Sequence, residues 1–215
     1  MYYQDMKFKD PFSGFSHLIG TILAIIGTVL LLLNSKSIVE TISFLIFGLT
    51  MIILYTNSAI YHLFGESADK ISLLRKLDHA SIYFLIAGTF APFCLVLIND
   101  IFGWSIFISV CVLAITGACL SFIKSLWNLP RWLLTSFYVF IGLIGMALIY
   151  PLRIYPEMIK WIMIGGAFYL IGAIIYTIKK PNLSKVFGFH ELFHLFILGG
   201  TFSHFFCIYQ FIALN

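Results

Sequence analysis

Two histidines stand one helical turn apart near the end of this chain. His190 and His194 are separated by four positions, so on a helix their imidazole rings share one face, about 6 Å apart. Two rings placed in this way can occupy two corners of a tetrahedral zinc site. A third ligand must then come from another segment of the chain.

His62 can supply that third corner. Ser58 precedes it by one turn, which gives the pattern Ser58-x-x-x-His62 on one helix face. Asp78 can supply a carboxylate that holds a metal-bound water or orients a histidine. Taken singly, a histidine at a membrane interface more often bonds water or a headgroup, and Asp78 has an alternative reading as a helix N-cap. The occurrence of all these residues at one depth is what favours a metal site.

The stretch from His190 to His194 also matches the H-E-x-x-H motif of zinc proteases. Such proteases need a third ligand, which usually lies downstream. Only 21 residues follow His194, none of them Asp or Glu, and the position of a possible third histidine is Gly200. Glu191 is turned about 100° from His190 around the helix. The sequence therefore favours H-x-x-x-H as the functional pattern and argues against a protease.

The elements that must position these residues are membrane spans. Of the 215 residues, 61% are hydrophobic and 10% charged, and the mean hydropathy is +1.01. Soluble domains are about half apolar, whereas runs of about twenty apolar residues cross a bilayer as helices. The sequence predicts an all-α polytopic protein of the cell membrane, a single seven-helix domain over residues 1–215. The predicted spans are 16–34, 42–63, 79–98, 102–122, 132–150, 158–178 and 190–212.

Basic residues are distributed unevenly between the two sides of these spans. With the N-terminus inside, the inner segments hold ten of the thirteen: Lys7, Lys9, Lys70, Arg75, Lys76, Lys124, Arg131, Lys179, Lys180 and Lys185. The outer loops hold three: Lys36, Arg153 and Lys160. The positive-inside rule then predicts a cytoplasmic N-terminus and an extracytoplasmic C-terminus. The net charge of +4 indicates affinity for anionic headgroups rather than nucleic acid.

This topology sorts the six histidines by depth. Five of them fall in the inner leaflet: His17, His62, His79, His190 and His194. His204 lies about 21 Å deeper than His190 by helical rise. We therefore expect His204 to be a hydrogen-bonded core residue that shares no metal with His190. The sequence leaves the roles of His17 and His79 open, and His79 has an alternative reading as a residue that points to the interface.

Three stretches carry a resemblance to a known family: "NSAIYHLF" (57–64), "LRKLDHASIYFLIAGTFAP" (74–92) and "HELFHLFILGGTFSH" (190–204). Together with the seven spans they resemble the hemolysin III family, the bacterial branch of the progestin and adipoQ receptor superfamily. The resemblance implies that His62, His190 and His194 bind Zn²⁺, and that Asp78 and Ser58 hold the zinc-bound water. The family's orientation, with its N-terminus inside, agrees with the charge count.

Three neutral histidines with one open position are typical of a catalytic zinc. A site at the inner leaflet would receive membrane lipids that enter sideways from the bilayer. The resemblance implies ceramidase-like hydrolysis of lipid amides or esters, with Asp78 as general base and Ser58 orienting the water. One alternative is a regulator of membrane homeostasis in which zinc only joins two helices. A lesser alternative, taken from the family name, is a pore-forming cytolysin, but the chain has no polar surface to keep a secreted toxin soluble.

Overall fold

Seven helices account for most of this protein. The computed structural model describes residues 8–65, 71–184 and 187–215, and these ranges contain helices and no strand. Seven helical segments are long and apolar enough to cross a membrane. The α-helices are α1 (Pro11–Leu33), α2 (Ile38–Phe64), α3 (Leu73–Ala91), α4 (Ile101–Leu120), α5 (Arg131–Leu143), α6 (Pro156–Ile178) and α7 (Phe189–Ile208). The prediction of an all-helical protein with seven spans is confirmed. Its orientation stays a prediction, and three of the basic residues behind it lie outside the described residues: Lys7, Lys70 and Lys185.

The first two helices begin before the predicted spans. The span predicted at 16–34 starts at Pro11, because proline suits the first helical turn, where its missing N–H has no partner anyway. The span predicted at 42–63 starts at Ile38, and the Ser37 hydroxyl caps it by accepting a hydrogen bond from the Glu40 N–H at 3.2 Å. Hydropathy alone misses such polar first turns.

The third helix also begins earlier than its predicted span at 79–98. It starts at Leu73, where the Ser72 hydroxyl accepts a hydrogen bond from the Arg75 N–H at 3.3 Å. Serine at this position satisfies one of the free N–H groups of the first turn. Asp78 therefore lies inside α3, and the alternative interpretation, in which Asp78 is the N-cap of this helix, is wrong.

Four irregular turns extend or connect these helices. A π-helix continues α3 from Pro92 to Ile98, and another, Tyr209–Ala213, ends the chain's last span. Proline has no N–H for the helical ladder, and the regular hydrogen-bonding pattern of α3 changes at Pro92. Two 3₁₀ turns, Lys124–Asn128 and Ile144–Leu148, lie before and after α5.

The helices pack so that three of their ends meet. α2 packs between α1 and α3, α1 also contacts α7, α7 packs on α6, and α3 packs on α4. The last turn of α2 and the first turns of α1 and α7 consequently lie at the same end of the bundle. This end holds the histidines that the sequence placed in the inner leaflet.

Small residues allow α6 and α7 to approach closely, as is common between membrane helices. Gly165 of α6 lies directly against the imidazole of His204 in α7, and Gly200 lies against the Tyr169 ring. The His204 Nε2 atom lies 3.1 Å from the carbonyl oxygen of Ile162. The prediction that His204 is a hydrogen-bonded core residue is confirmed.

Candidate metal centre

Three imidazoles from two helices converge at this end of the bundle. His62 lies in the last turn of α2, and His190 and His194 lie in the first two turns of α7. The His190 Nε2 atom is 3.4 Å from the His62 Nε2 and 3.3 Å from the His194 Nε2. One nitrogen from each ring lies within 4.8 Å of the other two. The structure brings together the three histidines that the sequence singled out as ligands.

Two of the three nitrogen separations fit a tetrahedral metal ion. Zinc binds histidine nitrogen at about 2.0–2.1 Å, so two ligands of a tetrahedral ion lie about 3.3 Å apart. The two measured Nε2 separations agree with this value. Hydrogen bonding among the rings is a poorer explanation, because one His190 nitrogen faces two neighbours and can donate its proton to only one of them. Three histidines are also a ligand set that zinc uses with a further position left free.

A fourth histidine lies against the centre. The His17 ring of α1 is centred 4.0 Å from the His194 ring and 5.0 Å from the Tyr55 ring. Both His17 nitrogens are buried and have no hydrogen-bond partner among the described residues. The sequence predicted the depth of His17 but no role for it, because no other candidate ligand lies one helical turn away from it in the sequence. The structure shows that it packs on a candidate ligand.

A carboxylate contacts the outer nitrogen of His62. The Asp10 Oδ2 atom lies 3.0 Å from His62 Nδ1, and only 2% of the His62 side chain is exposed. The pKa of the Asp10 carboxyl lies below its usual value, chiefly because it accepts this hydrogen bond; partial burial opposes the shift, and the Lys9 ammonium adds to it. A carboxylate–histidine pair of this kind is common around metal sites, where it orients the ligand.

The backbone of Asp10 contacts the same helix end. The Asp10 N–H donates to the His62 carbonyl at 2.9 Å, and the Lys9 N–H donates to the Leu63 carbonyl at 3.3 Å. The Lys9 ammonium lies 3.5 Å from the Tyr61 ring centre. The segment before α1 is thereby fixed across the end of α2. No spacing pattern in the sequence marked Asp10 as a site residue, although an acidic residue at this end of span one was a visible signal.

The other two predicted site residues lie on α2 and α3. Ser58 is buried one turn before His62, as the pattern predicted. Asp78 is half-buried inside α3, and its carbonyl accepts a hydrogen bond from the Ser81 hydroxyl at 2.7 Å. Among the described residues, the carboxylate that hydrogen-bonds a candidate ligand is that of Asp10 and not that of Asp78. The roles of Asp78 and Ser58 in holding water stay predictions.

Glu191 has a local structural role. Its Oε2 atom accepts a hydrogen bond from the Gly188 N–H at 2.8 Å, which caps the start of α7. A glutamate at the third helical position commonly makes this contact. The contact accounts for Glu191 without protease chemistry, and the function of the H-x-x-x-H pattern stays a prediction.

His79 lies apart from the three candidate ligands. Its Nδ1 atom is 3.3 Å from the Tyr138 hydroxyl, and its ring lies 4.6 Å from the Trp127 ring. His79 therefore bonds within the protein, and its alternative reading as a residue that points to the interface is wrong.

The fold and the site define a class of protein: a multi-pass membrane protein with a buried three-histidine centre at one end of its helices. The profile of the family described as "Haemolysin-III related" matches residues 6–205. The chain belongs to this family, as the resemblance predicted.

Curated relatives agree with this membership. The chain is 30% identical over 203 residues to a "Hemolysin-3 homolog" of Bacillus subtilis (strain 168), which covers 91% of each chain. It is 29% identical over 204 residues to "Hemolysin-3" of Bacillus cereus, covering 91% of this chain and 88% of the relative. An "Adiponectin receptor protein" of Drosophila melanogaster is 26% identical over 214 residues, covering 88% of this chain and 48% of the relative. The last similarity is consistent with the superfamily that the resemblance implied.

Proposed function

We propose that this protein is a zinc-dependent hydrolase that cleaves an amide or ester bond of a membrane acyl lipid. The observation that carries the proposal is the convergence of His62, His190 and His194: the His190 Nε2 lies at the spacing of tetrahedral zinc ligands from the Nε2 atoms of both other rings, and one nitrogen of each ring lies within 4.8 Å of the other two. Three protein ligands with a free fourth position are typical of catalytic rather than closed structural zinc. When bound there, zinc would polarise a carbonyl and lower the pKa of its water to about 7.

Ser58 and Asp78 are the chain's own candidates for the remaining roles. Ser58 lies one turn from His62 and is buried with it, so its hydroxyl is suited to orient a water or a carbonyl oxygen. Asp78 belongs to α3, which packs on α2, and is half-buried. A carboxylate in such a place is suited to accept a proton as general base. Both assignments follow from the family resemblance and from the placement of these residues on neighbouring helices.

The surroundings of the centre favour a lipid substrate. The outward faces of the helices carry exposed apolar side chains, such as Ile19, Leu23 and Ile26 of α1. A site near one end of such helices lies close to the headgroup level of the bilayer. The acyl amide or ester bond of a lipid lies at this level, whereas a soluble substrate would approach from the aqueous side.

A second candidate is a membrane regulator in which zinc has a structural role. The observation that favours it is the number of helices joined at the centre: α2 and α7 supply the three ligands, and α1 adds Asp10 and His17. Metal binding can stabilise such an arrangement by about 10 kcal/mol. The word "hemolysin" in the names of two relatives belongs to those proteins, and nothing in this site supports pore formation.

Zinc analysis combined with a lipid assay separates these functions. We expect about one zinc per purified chain and release of free fatty acid from ceramide-like or related acyl lipids in bilayers. Asp78→Asn should keep the fold and the zinc but reduce this release by about 10²–10⁴-fold, the range for loss of a general base. Full zinc occupancy with no fatty acid released by the wild type across a broad acyl-lipid panel would favour the regulator.

A further inference from the structure

The carboxylate of Asp10 faces the metal centre from outside the membrane spans. Its Oδ2 atom lies 3.0 Å from the Nδ1 of His62, while the Nε2 of the same ring faces His190. We propose that Asp10 is a positioning residue of the metal centre, which holds His62 in the tautomer that directs the Nε2 lone pair at the metal. This inference rests on the proposed zinc site, but its test includes a measurement on the metal-free protein.

The chemistry of the pair places a proton on the Nδ1 atom of His62. An ionised carboxylate only accepts hydrogen bonds, so the contact with Asp10 requires a proton on the Nδ1 of His62. A neutral imidazole carries one N–H, and its other nitrogen, here Nε2, then bears the lone pair. Metal ions bind that lone pair. Without the carboxylate, the buried ring of His62 would be free to place its proton on Nε2, and metal binding would have to reverse that tautomer, which weakens it.

Helix capping does not explain the Asp10 carboxylate. Aspartate is a favoured N-cap residue, and Asp10 occupies the N-cap position of α1. Yet its side chain makes no capping hydrogen bond there. Asp100, at the equivalent position of α4, does cap its helix by accepting a hydrogen bond from the Gly103 N–H at 2.9 Å. The two aspartates occupy the same helix position, and only Asp10 directs its carboxylate to a histidine.

The backbone holds this carboxylate in place. The last carbonyls of a helix have no partner inside the helix, and the His62 carbonyl of α2 accepts a hydrogen bond from the Asp10 N–H at 2.9 Å. Asp10 thus contacts His62 twice, through its backbone and through its side chain. The Lys9 ammonium lies 3.5 Å from the same Oδ2 atom. These contacts fix the carboxylate relative to the ring.

Zinc affinity of the full chain in detergent, measured by competition with a chelator, tests the inference. We expect Asp10→Ala to bind zinc about 10–100-fold more weakly than the wild type, the range for loss of a residue that orients a metal ligand. Asp10→Asn keeps the shape and the backbone contact but can either accept or donate, and we expect an intermediate loss. Asp100→Ala is the matched control: it should lower the unfolding temperature and leave zinc affinity unchanged.

Nitrogen-15 NMR of the labelled His62 imidazole gives the second measurement, on metal-free protein. We expect a protonated Nδ1 in the wild type and a mixture of tautomers in Asp10→Ala and Asp10→Asn. Wild-type zinc affinity in both variants, or an unchanged His62 tautomer, would overturn the role of Asp10. A wild type that binds no zinc would instead overturn the proposed function, and the NMR result would still decide whether Asp10 sets the tautomer.

Discussion

His190 makes both of the close nitrogen contacts measured at the centre. It lies 3.4 Å from His62 and 3.3 Å from His194, atom Nε2 to atom Nε2 in each case. His62 and His194 are buried, and His190 is half-buried. At the scale of single residues, these three rings therefore differ from His204, whose Nε2 bonds a backbone carbonyl in α6.

Replacement of single histidines should distinguish the three candidate ligands from His204. We expect His62→Ala, His190→Ala and His194→Ala each to weaken zinc binding by more than about 100-fold. This loss is larger than the loss expected for a residue that only orients a metal ligand. Metal content of the purified variants is the measurement. His204→Ala is the control and should keep about one zinc per chain. Full occupancy in His62→Ala would show that the third ligand is a different residue.

Replacement of Glu191 should affect the stability of α7 and leave zinc binding unchanged. Because its carboxylate accepts a hydrogen bond from the Gly188 N–H, Glu191→Ala should destabilise the protein by about 0.5–2 kcal/mol, as measured by thermal unfolding. Glu191→Gln keeps an acceptor and should remain close to wild type in stability, zinc content and any lipid hydrolysis. A large loss of hydrolysis with intact zinc in Glu191→Gln would instead indicate a protease-like role.

At the scale of elements, the centre depends on how helix ends are joined. The end of α2 is covered by the segment before α1, through the hydrogen bonds of Lys9 and Asp10 to its last carbonyls. α7 starts with its own cap at Gly188 and Glu191, which places two candidate ligands in its first two turns. The position of α7 in turn depends on α6, with which it makes a close contact.

Two neighbouring glycines test the α6–α7 contact. A Cβ atom at Gly165 would collide with the His204 ring, whereas a Cβ at Gly166 would meet nothing within 4 Å. We expect Gly165→Ala to lower stability by about 1–3 kcal/mol, the usual effect of overpacking. Gly166→Ala should stay within about 1 kcal/mol of the wild type. Equal unfolding temperatures of the two variants in detergent would contradict the close packing.

At the scale of the whole molecule, orientation in the membrane decides which compartment the centre faces. All candidate ligands lie at the end of the bundle that also holds the N-terminal end of α1. The ten-to-three distribution of basic residues predicts that this end is cytoplasmic. The centre would then be reached from the inner leaflet.

Reporter tags give a direct test of this orientation. A tag at Tyr2, which lies outside the described residues, and a tag in the 179–186 loop should both report a cytoplasmic location. A tag after Asn215 should report an external location, because seven spans place the termini on opposite sides. An external signal from the 179–186 loop would place the metal centre at the outer leaflet.

The sequence by itself determined the spans and the helix-internal spacing of the site. Long apolar runs are local properties, and so is the shared face of His190 and His194, because the helical period fixes both rings relative to one backbone. Their pairing with His62 was also predictable, since alternating spans bring the end of α2 and the start of α7 to one side. These predictions needed no knowledge of how the helices rotate against each other.

Only the tertiary structure decided which other side chains reach the candidate ligands. The sequence offered Asp78 as the orienting carboxylate, but the structure shows that Asp10 contacts His62 and that His17 packs on His194. Both contacts depend on the rotation of α1 against α2 and α7. That rotation follows from packing over the whole length of these helices, which are apolar on many faces, so no local spacing rule specifies it.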